Sequence, residues 1–125
     1  MNDYTTLWLH AFINTQLIEV SVGLMTLCSL NRRHETVKLS LPRLAITLFM
    51  ANVLTHPAQW FIFIKLRRLG FSYEQYVIIS ELFAWLTEAL WYFFMLTPLK
   101  RRVSLALLFS LAINSSSYLI GLCLG

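Results

Sequence analysis

The 125 residues are 58% hydrophobic and 13% charged, with a formal net charge of +4. A water-soluble domain carries about 25% charged residues, so this composition lacks the polar surface that water demands and points to lipid as the solvent. Most soluble enzymes are thereby excluded. The two cysteines, Cys28 and Cys123, form neither a C-x-x-C pair nor a Cys/His ligand pattern, so neither a zinc finger nor a disulfide framework is indicated.

A helix crosses a hydrocarbon core of roughly 30 Å with about 20 mostly apolar residues. The chain offers that length over residues 7–28, 44–64, 77–96 and 105–124. It therefore reads as one all-α integral membrane domain over 1–125, a bundle of four transmembrane helices with little mass outside. The first span has Asp3 and no basic residue ahead of it and is too long for the apolar region of a secretory signal, so it is expected to stay in the mature protein. Thr15, Gln16, Glu19 and Gly23 share one of its faces.

The second span carries Asn52 and His56 at i and i+4, with Pro57 directly after. Lacking an N–H and crowding the turn before it, Pro57 is expected to kink this helix and free the carbonyl of Val53. In the third span Glu81 and Glu88 are seven apart, close to two full turns, and so point the same way. The fourth has a stripe of Ser110, Asn114, Ser117, Gly121 and Gly125. Its small-x-x-x-small spacing suits close helix approach, including contact with a second copy. Trp8, Trp60 and Trp91 lie toward span ends as an interfacial belt requires, whereas Trp85 lies deep and needs a partner.

All ten Lys and Arg residues fall between the spans. The first and third connections hold Arg32, Arg33, Lys38, Arg43, Lys100, Arg101 and Arg102, and the second holds Lys65, Arg67 and Arg68. Short loops rich in Lys and Arg stay cytoplasmic, so both termini are expected outside a plasma or inner membrane. The same loops should attract anionic headgroups, and the absence of a basic face with interleaved aromatics argues against a nucleic-acid partner.

Acidic residues behave differently from basic ones. Three of the six, Glu19, Glu81 and Glu88, lie inside spans, where an ionised carboxylate costs about 2.5 to 3.5 kcal/mol on insertion scales. From the helical rise, Glu19, Asn52, His56, Glu88 and Asn114 fall within roughly 3 Å of the midplane, and Glu81 about 9 Å toward the second loop. No Lys or Arg is available within the spans, so these carboxylates are neutralised by protons, by a protonated His56 or by a bound cation.

A site of Glu19, His56, Glu81 and Glu88, with Asn52 and Asn114 as orienting amides, is therefore expected to bind or translocate a cation or protons. A divalent metal is one candidate for the cation, although the Glu-x-x-His pairs of di-iron bundles are missing. Two other readings share these residues. In an intramembrane enzyme acting on a lipid or isoprenoid, Glu88 or Glu81 is the acid and His56 the base, with Trp85, Trp91, Tyr92, Phe93 and Phe94 lining an apolar slot. In a scaffold subunit, a membrane-protein partner completes the polar face. Four helices are few to enclose a pathway, so a homo-oligomer is expected.

Overall fold

The computed structural model describes residues 3–34, 40–96 and 102–124. Lys38, Lys100 and Arg101, which contribute to the expected sidedness of the loops, lie outside the described residues, as does Gly125 of the fourth-span stripe. Every element among the described residues is helical.

Helix α1 runs Asp3–His34, with Asp3 in its first turn where a negative charge meets the positive end of the helix dipole. Helix α2, Leu41–Pro57, starts from an extended Ser40 with a proline in its first turn, where a missing N–H costs nothing. Beyond Pro57 the chain stays helical but changes its winding. It is π-helical over Ala58–Ile62, closed by the Phe63 N–H donating to the Ala58 carbonyl, and 3-10 over Phe63–Leu69. Pro57 has no N–H to offer the turn before it, and a wider turn is a common way to re-seat the backbone groups so released.

Gly70 ends this stretch at φ 92°, a left-handed conformation in which a Cβ is disfavoured. The Gly70 and Phe71 N–H groups donate back to the Arg67 and Leu66 carbonyls. Two residues on, Ser72 begins α3, Tyr73–Met95, with a reciprocal cap: Ser72 Oγ accepts from the Gln75 N–H, and Gln75 Oε1 accepts from the Ser72 N–H. Helix α4 spans Val103–Leu124.

Each helix packs on its neighbours in chain order, and α4 closes back on α1. Cross-contacts show that α2 and α3 run antiparallel: Thr47 meets Trp91, Thr55 meets Glu88 and Gln59 meets Glu81. Three helices, Asp3–Ser29, Tyr73–Met95 and Val103–Cys123, are long and apolar enough to cross a membrane, which suggests a membrane protein. The α-wound part of α2 is 17 residues long. Every helix also exposes large apolar side chains, Leu17, Ile46, Leu86 and Leu108 among them, a distribution that suits lipid contact better than water.

The interior is divided by height. At the end formed by the close of α1, the start of α2, the close of α3 and the start of α4, an apolar core gathers Leu27, Leu44, Leu48, Tyr92, Leu96, Phe109 and Ile113. Gly23 makes this packing possible: a Cβ there would meet Leu48 Cδ2 at 2.7 Å and Ile113 Cδ1 at 3.2 Å. Toward the other end the interior turns polar.

Candidate functional site

Helix α1 places Glu19, α2 places Asn52 and His56, α3 places Glu81 and Glu88, and α4 places Asn114. All six line one cavity of about 370 Å³. Its wall runs from Tyr73 and Leu122 at the end nearest the second connection to Glu88 and Asn52 at mid-height. None of its lining residues is Lys or Arg. The six residues grouped by helical rise and period thus line one cavity that is open on one side.

Glu88 is the most fully bonded of the acids and is 1% exposed. Its Oε1 is 2.7 Å from Thr55 Oγ1 on α2, and its Oε2 accepts from Asn114 Nδ2 on α4 at 2.7 Å. Asn114 is held in turn by its own helix, with Nδ2 also donating to the Ser110 carbonyl at 3.0 Å. Glu19, also buried, has Oε1 at 2.5 Å from Ser117 Oγ. Glu81 is half-buried nearer the cavity mouth, and its Oε1 accepts from Gln59 Nε2 at 3.3 Å. Three carboxyl groups therefore sit in separate polar cradles, each built across two or three helices.

His56 is held differently. Its ring stacks on Trp60 with centroids 6.0 Å apart and meets Phe12 edge-on at 5.4 Å. Its Nδ1 is buried without a hydrogen-bond partner. The carboxyl groups receive hydrogen bonds from Thr55, Asn114, Ser117 and Gln59, and none of these bonds involves His56. Glu19 Oε2 and Asn52 Nδ2 also fall short of full hydrogen-bond geometry, although the Asn52 amide lies beside the Glu19 carboxyl group as a weak partner. A buried polar atom left unpaired costs about 1–3 kcal/mol, so His56 Nδ1 marks a place where a polar partner is wanted. Among the described residues, no three of the His, Cys, Asp and Glu side chains gather closely enough to hold a metal ion together.

Several expectations need adjusting. Gln16 shares a helix face with Glu19, but it turns away from the cavity to donate to the Phe49 carbonyl of α2 at 3.2 Å. Gly121 lines the cavity with open space around it and makes no close helix approach among the described residues. Deep Trp85 finds its partner in the Leu107 carbonyl at 2.8 Å, and Trp91 reaches the Thr47 carbonyl at 3.0 Å. With Phe94 facing outward, the aromatic side chains of the third span diverge toward α4, α2 and the exterior and do not frame one substrate slot.

Thr55, Ser117 and Gln59 are the contacts that sequence reasoning does not single out as carboxyl partners. Thr55 lies one residue from His56, and Ser117 lies three residues from Asn114, so both carry a signal in their spacing; Gln59 has none beyond its place near Pro57. Comparison with known proteins finds no matching family model, no matching curated protein and no matching solved structure. The site is therefore characterised by its geometry: three carboxyl groups and one imidazole, with no Lys or Arg among the lining residues.

Proposed function

We propose that this chain is a four-helix membrane protein whose cavity, near the bilayer midplane, binds a cation or protons and passes them along the chain Glu81, Glu88, Glu19 and His56. In this reading α2 and its π and 3-10 continuation form the remaining span, bent after Pro57. Both termini lie outside a plasma or inner membrane, and the basic first and third connections lie in the cytoplasm on anionic headgroups.

The observation that carries the proposal is the shared cavity: three carboxyl groups and an imidazole line it, and no Lys or Arg does. In a low-dielectric interior an acid without a basic partner is stabilised only by protons or by a cation. Glu81 at the mouth receives the ion. Glu88 and Glu19 hold it deeper, with Asn114, Asn52, Thr55 and Ser117 orienting them. All four helices of one chain supply the wall, so the site forms without a second copy.

The test is cation binding by calorimetry and proton flux with a trapped pH dye, both on purified protein in phosphatidylcholine vesicles. Wild type is expected to bind or conduct, and Glu19→Gln and Glu88→Gln to lose about ten-fold or more in affinity or rate while staying folded. Inert wild-type protein, or variants that change only assembly with partner proteins, would favour the scaffold reading.

A further inference from the structure

A second hollow of about 340 Å³ lies on the outer side of α3 and α4. It is mostly apolar, bordered by the exposed side chains of Ile78, Leu82 and Leu111. Val77, Glu81, Asn114 and Tyr118 belong to its wall and to the wall of the central cavity alike. A continuous lining therefore leads from the lipid-facing surface between two helices to the acidic interior, with Glu81 at the junction.

We propose that the site takes a lipophilic organic cation, with its ammonium head in the cavity and its alkyl or aryl tail in the groove between α3 and α4. The inference rests on the cation reading above and names its ligand class. Three observations point to it. The head would meet Glu81 and the rings of Trp60, Tyr73, Tyr76 and Tyr118 on the cavity wall, a combination of carboxylate and aromatic faces that attracts ammonium groups. Next, the Nδ1 atom of His56, a residue 5% exposed on that wall, is buried without a partner. A head bearing N–H groups supplies what it lacks. Finally, each hollow is within the size range of small-molecule sites, about 300 to 1,000 Å³, far larger than a bare ion requires. An amphiphile entering sideways from the bilayer would use the groove, the shared carboxylate and the aromatic wall together, whereas an inorganic ion would use neither the rings nor the groove.

The probes are methylammonium, octylammonium and dodecylammonium, titrated into the full chain in phosphatidylcholine nanodiscs, with partitioning into empty discs subtracted. Saturable affinity is expected to rise with alkyl length, by about ten-fold or more from methyl to dodecyl. Leu82→Trp and Ser115→Trp, which fill the groove from α3 and α4, are expected to lower the dodecyl-to-methyl affinity ratio by about ten-fold. Thermal unfolding of each variant verifies the fold, and the length series on wild type stands independently of both. A flat length series, or an unchanged ratio in folded variants, overturns the tail assignment. Binding of sodium, manganese or protons alone, dependent on Glu19 and Glu88, overturns the organic ligand and leaves the cation site standing. No binding of any cation or proton overturns both.

Discussion

Thr55 Oγ1 carries one proton and has two acceptors in reach, the Ala51 carbonyl at 3.2 Å and Glu88 Oε1 at 2.7 Å. Ser117 Oγ faces the same choice between the Asn114 carbonyl at 2.9 Å and Glu19 Oε1 at 2.5 Å. Two proton arrangements fit each triad. Either the hydroxyl donates to an ionised carboxylate, or a protonated carboxyl donates to the hydroxyl, which then donates to its own helix backbone. Both carboxyl groups can thus change protonation state without moving a heavy atom, which is the property a proton or cation site needs. Asn114 differs, because its Nδ2 has two protons for Glu88 and the Ser110 carbonyl and serves as a fixed donor. Asn114→Ala is expected to cost about 1–3 kcal/mol of stability by leaving a buried carboxyl oxygen unpaired. In a Glu88→Leu background the same change should cost less, with a coupling of about 0.6 to 1.7 kcal/mol. Denaturant unfolding of the four proteins in micelles measures the cycle, and zero coupling would show that the pair does not act together.

At the level of the helix, two small devices set the site. The turn from Gly70 to Gln75 aims α3 so that Tyr73 and Tyr76 reach the cavity mouth, with the Tyr76 hydroxyl 3.3 Å from the Gln59 carbonyl. Ser72→Ala removes the side-chain cap and is expected to cost about 1 kcal/mol. Gly70→Ala, forced to positive φ, is expected to cost about 1–2 kcal/mol. Thermal unfolding checks both, with hydrogen exchange at the start of α3 rising in each. Gly23 is the second device. Leu48 is 1% exposed and Ile113 fully buried, so neither has room to retreat. Gly23→Ala is therefore expected to cost about 1–3 kcal/mol, read by the same unfolding measurement; an unchanged midpoint would mean that the helices separate easily.

These elements also show what is legible in a sequence of this kind. Depth follows from a fixed rise per residue and facing from a fixed period, so the gathering of Glu19, Asn52, His56, Glu88 and Asn114 can be read from spacing alone. Pairing across helices cannot, since it depends on how two neighbours are rotated about their axes. For that reason Gln16 and Glu19, three apart on one helix, end on different partners, and Gln59 becomes a neighbour of Glu81 without any motif to announce it. Pro57 marks a change in winding but not the form it takes. The groove between α3 and α4 is set by the spacing of the two helices and has no signature in the sequence of either.

Considered as a whole, the molecule is polar at one end and sealed at the other. The cavity reaches toward the connection that holds Lys65, Arg67 and Arg68, while the packed core of Leu27, Leu48, Leu96 and Phe109 lies between it and the opposite end. In lipid the seal is held by side-chain packing, since the solvent is as apolar as the core. In the proposed reading, the side of the membrane to which the cavity opens would decide whether ligand is taken from outside or from the cytoplasm. The loop charges argue for outside, seven basic residues in the first and third connections against Lys65, Arg67 and Arg68 in the second. Phe71 and Ser40 report on the two sides: both are exposed, Phe71 beside the cavity end and Ser40 ahead of α2, where its side chain makes no capping bond. In a Cys28→Ser/Cys123→Ser background, Phe71→Cys is expected to react with a membrane-impermeant maleimide in intact cells, and Ser40→Cys only after permeabilisation. The reverse pattern would turn the cavity mouth to the cytoplasm and leave the seven basic residues of the first and third connections outside, against the positive-inside rule, so that any ligand would be drawn from inside the cell.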